Sequence, residues 1–224
     1  MSKDKESFYR NEVLWGAKAI YKRALVDFGE GNVSVRNGKE KELFITPSFN
    51  NYETLVEDQI VHMNFEGIAL SKGKLPSTEV KMHILIYQSR PKVHAIIHTH
   101  SPYATMLSVN QMGVPIIMEE QIVFLGGSID ISPFGEAHTE EIGQSALKAL
   151  GNKNSALLAN HGVIVCGKSI EHAVKFAELV EKLAKIYWGA LQIGKPKIIS
   201  EIQSTKFNKL FESLFASYSR IKRK

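Results

Sequence analysis

The stretch Val93–His100, VHAIIHTH, sets three consecutive apolar residues, Ala95, Ile96 and Ile97, between polar neighbours. A short apolar run of this kind suits a buried strand rather than a surface segment. Upstream, Thr78 is placed to cap a helix that runs to about Ser89. It stops at Arg90-Pro91, because proline excludes a continued helix. Downstream, Ser101-Pro102 opens another helix, so the stretch reads as the strand of an α/β arrangement. The end of the strand carries His98 and His100. The two-residue alternation of a strand points both imidazoles to one face, which is chelating geometry. Taken alone, the pair reads equally well as two hydrogen-bonded or surface histidines.

Working outward, residues from about Glu6 to Phe28 place apolar groups at Val13, Leu14, Ala17, Ile20, Tyr21, Ala24 and Leu25, the spacing of an amphipathic helix stopped by Gly29 and Gly31. NVSVR and KELFIT, separated by Asn37-Gly38, predict a hairpin, and Ile60–Phe65 with Ile68–Leu70 a second strand pair. Beyond the histidines, short strands are expected near Val114–Met118 and Ser128–Ile131, then a helix from about Glu136 to Leu150. Strand SALLAN, the turn His161-Gly162, strand VIVCG, a long helix from Ile170 to about Ile193 and a last helix over about Thr205–Tyr218 complete the pattern. No repeat or linker divides it, so residues 1–224 read as one domain with a C-terminal helical tail from about residue 204.

The composition narrows the functional classes. With 224 residues, 44% of them hydrophobic, the chain is long enough to bury a full core. The opening MSKDKESFYR lacks the apolar run of an export signal, and no stretch approaches the roughly 18 apolar residues of a membrane span. One cysteine, Cys166, excludes an internal disulfide and agrees with a reducing cytosol. Its setting in GVIVCG reads as a core thiol. The net charge of +5 permits an anionic partner. Lysine and arginine are nevertheless spread along the chain, with a dense cluster only in the tail SRIKRK. Phosphorylated metabolites therefore fit better than nucleic acid or a membrane surface.

A catalytic metal site usually needs a third protein ligand and an open position. His161, in ANHGVIV, is a candidate because a histidine followed by glycine at a strand turn projects from a sharp corner; its plainer reading is a turn residue. Glu79, in LPSTEVKMH, opens a helix, where an acidic side chain also suits the helix dipole. His83 lies four residues on, but the two-histidine zinc helix pattern is absent. His83 therefore reads as a packing residue or one that supports a ligand from behind. His62, His94, His138 and His172 are read as structural.

At these residues the sequence resembles the class II aldolase and adducin-head family, and within it the L-fuculose-1-phosphate aldolases. GNVSVR (31–36), LFITPS (43–48), KLPSTE (74–79), YQSRP followed by HTHS (87–101) and NHGVIVCG (160–167) occur in family order. The resemblance implies a three-layer α/β/α domain with a largely antiparallel central sheet. It also implies a cytoplasmic lyase acting on a sugar phosphate, in homotetramers whose active sites lie between subunits. By the same likeness His98, His100 and His161 match the family's zinc ligands, one Zn2+ per subunit. Glu79 matches the carboxylate that contacts zinc and exchanges a proton with substrate. Asn32, Ser48, Ser77 and Thr78 match the phosphate pocket.

The chain departs from that pattern at Gly29, where the fuculose enzymes carry threonine, and at Phe49, where they carry glycine. It also has Glu120, in MEEQIVFLGG, near the position of a tyrosine that those enzymes contribute across a subunit boundary as acid/base. Tyr218, in FASYS, matches a C-terminal tyrosine that closes over substrate. A glutamate at position 120 resembles the methylthioribulose-1-phosphate dehydratases, which lack the carboxylate that Glu79 provides. A ribulose-phosphate 4-epimerase shares the scaffold. A non-catalytic adducin-like head does not need three histidines and a carboxylate at one site. The expectation is a zinc-dependent aldolase that cleaves a ketose 1-phosphate to dihydroxyacetone phosphate and an aldehyde.

Overall fold

The computed structural model describes residues 2–38, 40–49 and 51–221, and side chains as far as residue 211. Its centre is a seven-stranded open sheet in the order β3-β2-β1-β4-β7-β6-β5. The strands are β1 (Asn32–Asn37), β2 (Glu42–Ile45), β3 (Val61–Asn64), β4 (Ala95–Thr99), β5 (Asp130–Ile131), β6 (Ser155–Leu158) and β7 (Gly162–Gly167). Every pairing is antiparallel except β5 with β6. The stretch VHAIIHTH supplies the middle strand, β4, held between β1 and β7.

Alternation along each strand sorts side chains into two cores. Ala95 and Ile97 of β4, Val33 and Val35 of β1, and Val163 and Val165 of β7 face α1 (Lys3–Lys22), α3 (Pro102–Val109) and α5 (Ile170–Ile193). Ile96, Ile164 and Cys166 face α2 (Val80–Ser89) and α4 (Glu140–Leu150). Three layers result, as expected, with the sheet buried on both sides. Each fully buried aliphatic such as Ile96 or Ile97 contributes on the order of 1.5–3 kcal/mol relative to exposure. Helix α6 (Glu201–Ile221) follows α5. Among the described residues no helix is long and apolar enough to cross a membrane.

Several boundaries differ from the sequence reading for local reasons. Helix α1 begins at Lys3, where Ser2 accepts a hydrogen bond from the Lys5 N–H, and stops at Lys22 instead of running to Phe28. Ala24 adopts a left-handed φ of 52°, and the Leu25 N–H reaches back to Ile20 O while the Ala24 N–H reaches Tyr21 O. That double return closes a helix end, and it keeps Leu25 buried in phase with the helix it has left. Helix α4 starts at Glu140 rather than Glu136 because Thr139 caps it. Ile68–Leu70 makes one bridge, Met63 with Ala69, instead of a strand; Ile68 and Leu70 are exposed and have no face to bury. Val114–Met118 likewise makes one bridge, Val114 with Ile129. It then enters a π-helical turn over Gln121–Leu125, whose Gln121 side chain accepts the Ile117 and Met118 N–H groups.

Cys166 is a core thiol, facing α2 and α4 with its pKa pushed up to about 12, chiefly by burial. At pH 8 about one molecule in ten thousand then carries the thiolate, the form that alkylates. Iodoacetamide is expected to leave the native protein unmodified at pH 8 while labelling urea-unfolded protein fully, as read by mass spectrometry. Rapid labelling of native protein would contradict this packing.

Candidate metal centre

The alternation that sends Ile96 into the α2 core continues through His98 to His100, just past the end of β4, so both imidazoles reach the end of α2. The third histidine arrives from the tight β6–β7 turn, where the His161 N–H bonds Leu158 O. Asn160 accepts a left-handed φ of 55° there, which asparagine tolerates better than most residues. Its backbone N–H bonds Ser108 O, and its side-chain oxygen accepts from Gln111 Nε2 at 2.8 Å, so α3 and the turn after it brace the corner.

The Nε2 atoms of His98 and His100 lie 2.9 Å apart, and those of His161 and His98 lie 3.1 Å apart. His98 is fully buried, and burial pushes its pKa down to about 3, so its ring is neutral. Its Nδ1 lies 2.8 Å from Val163 O and donates its proton there, which leaves the Nε2 lone pair facing the other two rings. Burial also lowers the pKa of His100. Glu79 closes the group: Oε2 accepts from Asn32 Nδ2 at 2.8 Å and lies 3.2 Å from His98 Nε2. Its Oε1 sits 2.9 Å from His161 Nε2 but receives no well-aligned hydrogen bond. Burial alone would raise the carboxyl's pKa. The adjacent His161 and the Asn32 amide oppose that and hold it below the usual carboxylate range.

Inward-facing lone pairs beside a buried carboxylate oxygen without a donor form a set that needs a cation. The three histidine ligand atoms lie within 4.8 Å of one another. Nitrogens around a tetrahedral metal with bonds of about 2.0 Å stand about 3.3 Å apart, so only small ring movements separate this group from a coordination shell. The residues present therefore fit a metal ion.

Glu79 is placed by a polar ladder between β1 and α2. Asn32, Ser34 and Arg36 share one face of β1 at a two-residue spacing, and Glu79, His83 and Tyr87 share one face of α2 at a four-residue spacing. The two repeats are nearly equal in length, 6.6 and 6.0 Å by the rise per residue. Asn32 bonds Glu79, Ser34 Oγ bonds His83 Nδ1 at 2.7 Å and Tyr87 OH at 2.8 Å, and Arg36 Nη1 donates to Tyr87 O at 3.2 Å. His83 thus supports the site from behind, its pKa pushed down to about 4 by burial.

The remaining expected residues fall into two groups. Ser48, Ser77 and Thr78 lie on loops that run side by side: Ser77 N bonds Thr46 O, Ser48 N bonds Leu75 O, and Ser48 Oγ donates to Pro76 O at 2.7 Å. Glu79 joins these loops to the histidines, its backbone N–H bonding Ser77 Oγ at 3.3 Å. Phe49 keeps a left-handed φ of 57°, the backbone that glycine takes without strain, with its ring in solvent. Glu120 is not brought to the histidines within one chain. It pairs with Lys182 at 2.9 Å and lines a separate cavity of about 960 Å³ with Phe124, Lys175 and Phe211. Tyr218 falls in α6, with its side chain outside the described residues.

Three features escaped the sequence reading. Glu30 Oε2 lies 3.8 Å from His100 Nδ1, a carboxylate on the ring's outer nitrogen. Gly31 and Gly162 flank β4 on either side. A Cβ on Gly31 would strike His98 O, and one on Gly162 would strike Thr99 O and stand 2.9 Å from His100 Cδ2 and 3.2 Å from His98 Cε1. Both glycines lie inside quoted motifs, yet the need for them appears only once the strands are paired.

Gly162→Ala is expected to destabilise the protein by about 1–3 kcal/mol through overpacking and to weaken metal retention on dialysis. Gly189→Ala, in open space on α5, is expected to stabilise by about 0.5–1 kcal/mol with retention unchanged. Urea unfolding and metal analysis check both; full retention in Gly162→Ala would contradict the crowding.

Residues 11–188 match the family described as Class II Aldolase and Adducin N-terminal domain. The chain is 31% identical over 204 residues to the 5-deoxy-D-ribulose 1-phosphate aldolase of Bacillus thuringiensis serovar kurstaki, covering 91% of this chain and 95% of that protein. It is 38% identical over 192 residues to the 5-methylthioribulose-1-phosphate/5-deoxyribulose-1-phosphate aldolase of Rhodospirillum rubrum, covering 85% of each. With the L-fuculose phosphate aldolase of Escherichia coli K12 it shares 37% identity over 166 residues, 74% of this chain and 76% of the other. A solved L-fuculose 1-phosphate aldolase superposes with a TM-score of 0.87 at 29% identity, over 95% of this chain and 98% of the other. A shared fold, a histidine group fit for a metal and a match across most of the sequence lead to one conclusion: the chain belongs to the class II aldolase and adducin N-terminal domain family.

Proposed function

We propose that this protein is a metal-dependent class II aldolase that reversibly cleaves a ketose 1-phosphate to dihydroxyacetone phosphate and an aldehyde. The observation that carries the reading is the meeting of His98, His100 and His161 with the buried, ionised Glu79. Relatives named as aldolases of deoxyribulose, methylthioribulose and fuculose phosphates support the substrate class. We assign the ion as Zn2+, one per subunit, because imidazole nitrogen with carboxylate oxygen is a donor set that suits it. When bound, the ion supplies Lewis-acid stabilisation of negative charge developing on the ketose oxygens.

The chain's own groups supply the proton steps. Cleavage breaks the C3–C4 bond, leaves its electron pair on C3 and turns C4 into the aldehyde carbon. Glu79, held by Asn32, delivers a proton to C3 and takes one back in the synthetic direction. Glu120, reaching in from a neighbouring subunit of a homotetramer, or Tyr218, closing over the substrate, removes the proton from the C4 hydroxyl. Asn32, Ser48, Ser77 and Thr78 form the phosphate cradle, with the Ser77 and Thr78 hydroxyls as donors to the phosphate and the Glu79 N–H bond to Ser77 Oγ tying the cradle to the metal side. A cytoplasmic setting fits such a substrate. Glu120 in place of tyrosine also suits a dehydratase, which would release water and form no dihydroxyacetone phosphate.

Offered a panel of ketulose 1-phosphates, the metal-loaded enzyme is expected to release dihydroxyacetone phosphate from at least one, followed with a coupled reductase, and to lose that activity with chelator. His98→Ala is expected to lose both metal and cleavage. Absence of dihydroxyacetone phosphate from every substrate, or an active metal-free variant, would overturn the reading.

A further inference from the structure

Helix α3 begins two residues after His100, and its first turn has a backbone problem. Pro102 at the first helical position has no N–H, but the N–H groups of Tyr103 and Ala104 have no partner within the helix. The preceding residue, Ser101, is of the type that normally caps a helix. Its hydroxyl makes no such bond and is buried without any partner. The cap comes instead from α5: Glu181 Oε1 accepts from Tyr103 N at 3.0 Å, and Oε2 accepts from Ala104 N at 3.0 Å. Each carboxylate oxygen takes one amide, at the end of the helix where negative charge is favoured.

The consequence falls on the corner between β4 and α3. β4 is fixed on both sides by β1 and β7, with His98 opposite Asn32 and Ile164 and Thr99 opposite Val163. Ser101 O is bonded only within α3, by Thr105 N, and the next backbone points tied to another element are Tyr103 and Ala104. His100 lies in the short span between these anchors, and its Nε2 meets His98 Nε2 only if the corner keeps its path. We propose that Glu181 is a positioning residue for the metal centre, holding the start of α3 so that His100 presents its ring to the other ligands. The inference rests on His100 being a metal ligand, as proposed above. Around Glu181, Lys185 places its Nζ 5.2 Å from the Tyr103 ring centroid, and Tyr103 packs against Trp188. These contacts tie α3 to α5 without touching the two amides, so they provide a control.

The test is competition for Zn2+ between the full-length protein and a chromophoric chelator, with amide hydrogen exchange across residues 100–108. Glu181→Ala is expected to weaken zinc binding by about tenfold to a hundredfold, the usual effect of removing a group that orients a ligand. It should also expose the Tyr103 and Ala104 amides to exchange. Glu181→Gln, which keeps one acceptor, is expected to fall between wild type and Glu181→Ala, and it carries the test if the alanine variant does not fold. Lys185→Ala is expected to bind zinc within twofold of wild type. Wild-type affinity in both Glu181 variants, or an equal loss in Lys185→Ala, overturns the inference. His100→Ala separates the two readings: if it binds zinc as tightly as wild type, the ligand assignment fails. If it loses zinc while the Glu181 variants keep it, only the role of Glu181 fails.

Discussion

The structure depends on how closely three strands meet at the end of β4. The carbonyls of His98 and Thr99 lie against Gly31 on one side and Gly162 on the other, at distances no side chain permits. That approach lets β1 and β7 hydrogen-bond to β4 as far as the end facing the histidine group, so His98 sits on backbone fixed from both sides. A site on rigid, doubly paired strand is held more tightly than one on a free loop. His98 alone sits on paired strand; His100 lies just past its end, and His161 comes from a turn that the hydrogen bonds to Asn160 restrain.

The second requirement is polar order inside an apolar packing. The interface of β1 with α2 buries an asparagine, a serine, a histidine, a tyrosine and a glutamate, each a cost unless partnered. The ladder partners most of them, and it orients as it satisfies: slipping α2 along β1 by one helical turn would break Asn32–Glu79 and Ser34–His83 together. Unsatisfied atoms persist at Asn32 Oδ1, Glu79 Oε1 and His83 Nε2, at and just behind the end of the ladder that faces the histidines. Such exceptions to complete pairing mark places where function, rather than stability, decides the residue.

How much of this was legible depended on the range of the rule involved. Strand alternation is local, so His98 and His100 could be placed on one face from VHAIIHTH alone, and Pro91 and Pro102 bounded the neighbouring helices. The third histidine was legible mainly through the resemblance of NHGVIVCG, because nothing local brings residue 161 to residue 98. The Asn32–Glu79 bond, the Glu30 contact and the cap that Glu181 provides were not legible. Each depends on how elements distant in sequence pack. Helix α1 was overextended because Leu25 stays in phase with the buried face after Ala24 has turned the chain, and periodicity does not register a change in φ.

The candidate ligand set also has a meaning for folding. Glu79, His98 with His100, and His161 belong to three parts of the chain, and they meet only when β1, β4, β7 and the start of α2 have all found their places. Contacts of such long sequence separation form late, after the loops between them have closed. An ion that recognises only the finished arrangement stabilises the native state alone, by an amount that grows with the logarithm of its free concentration. On the proposed function, metal supply would act on the lifetime of the folded protein as well as on its turnover.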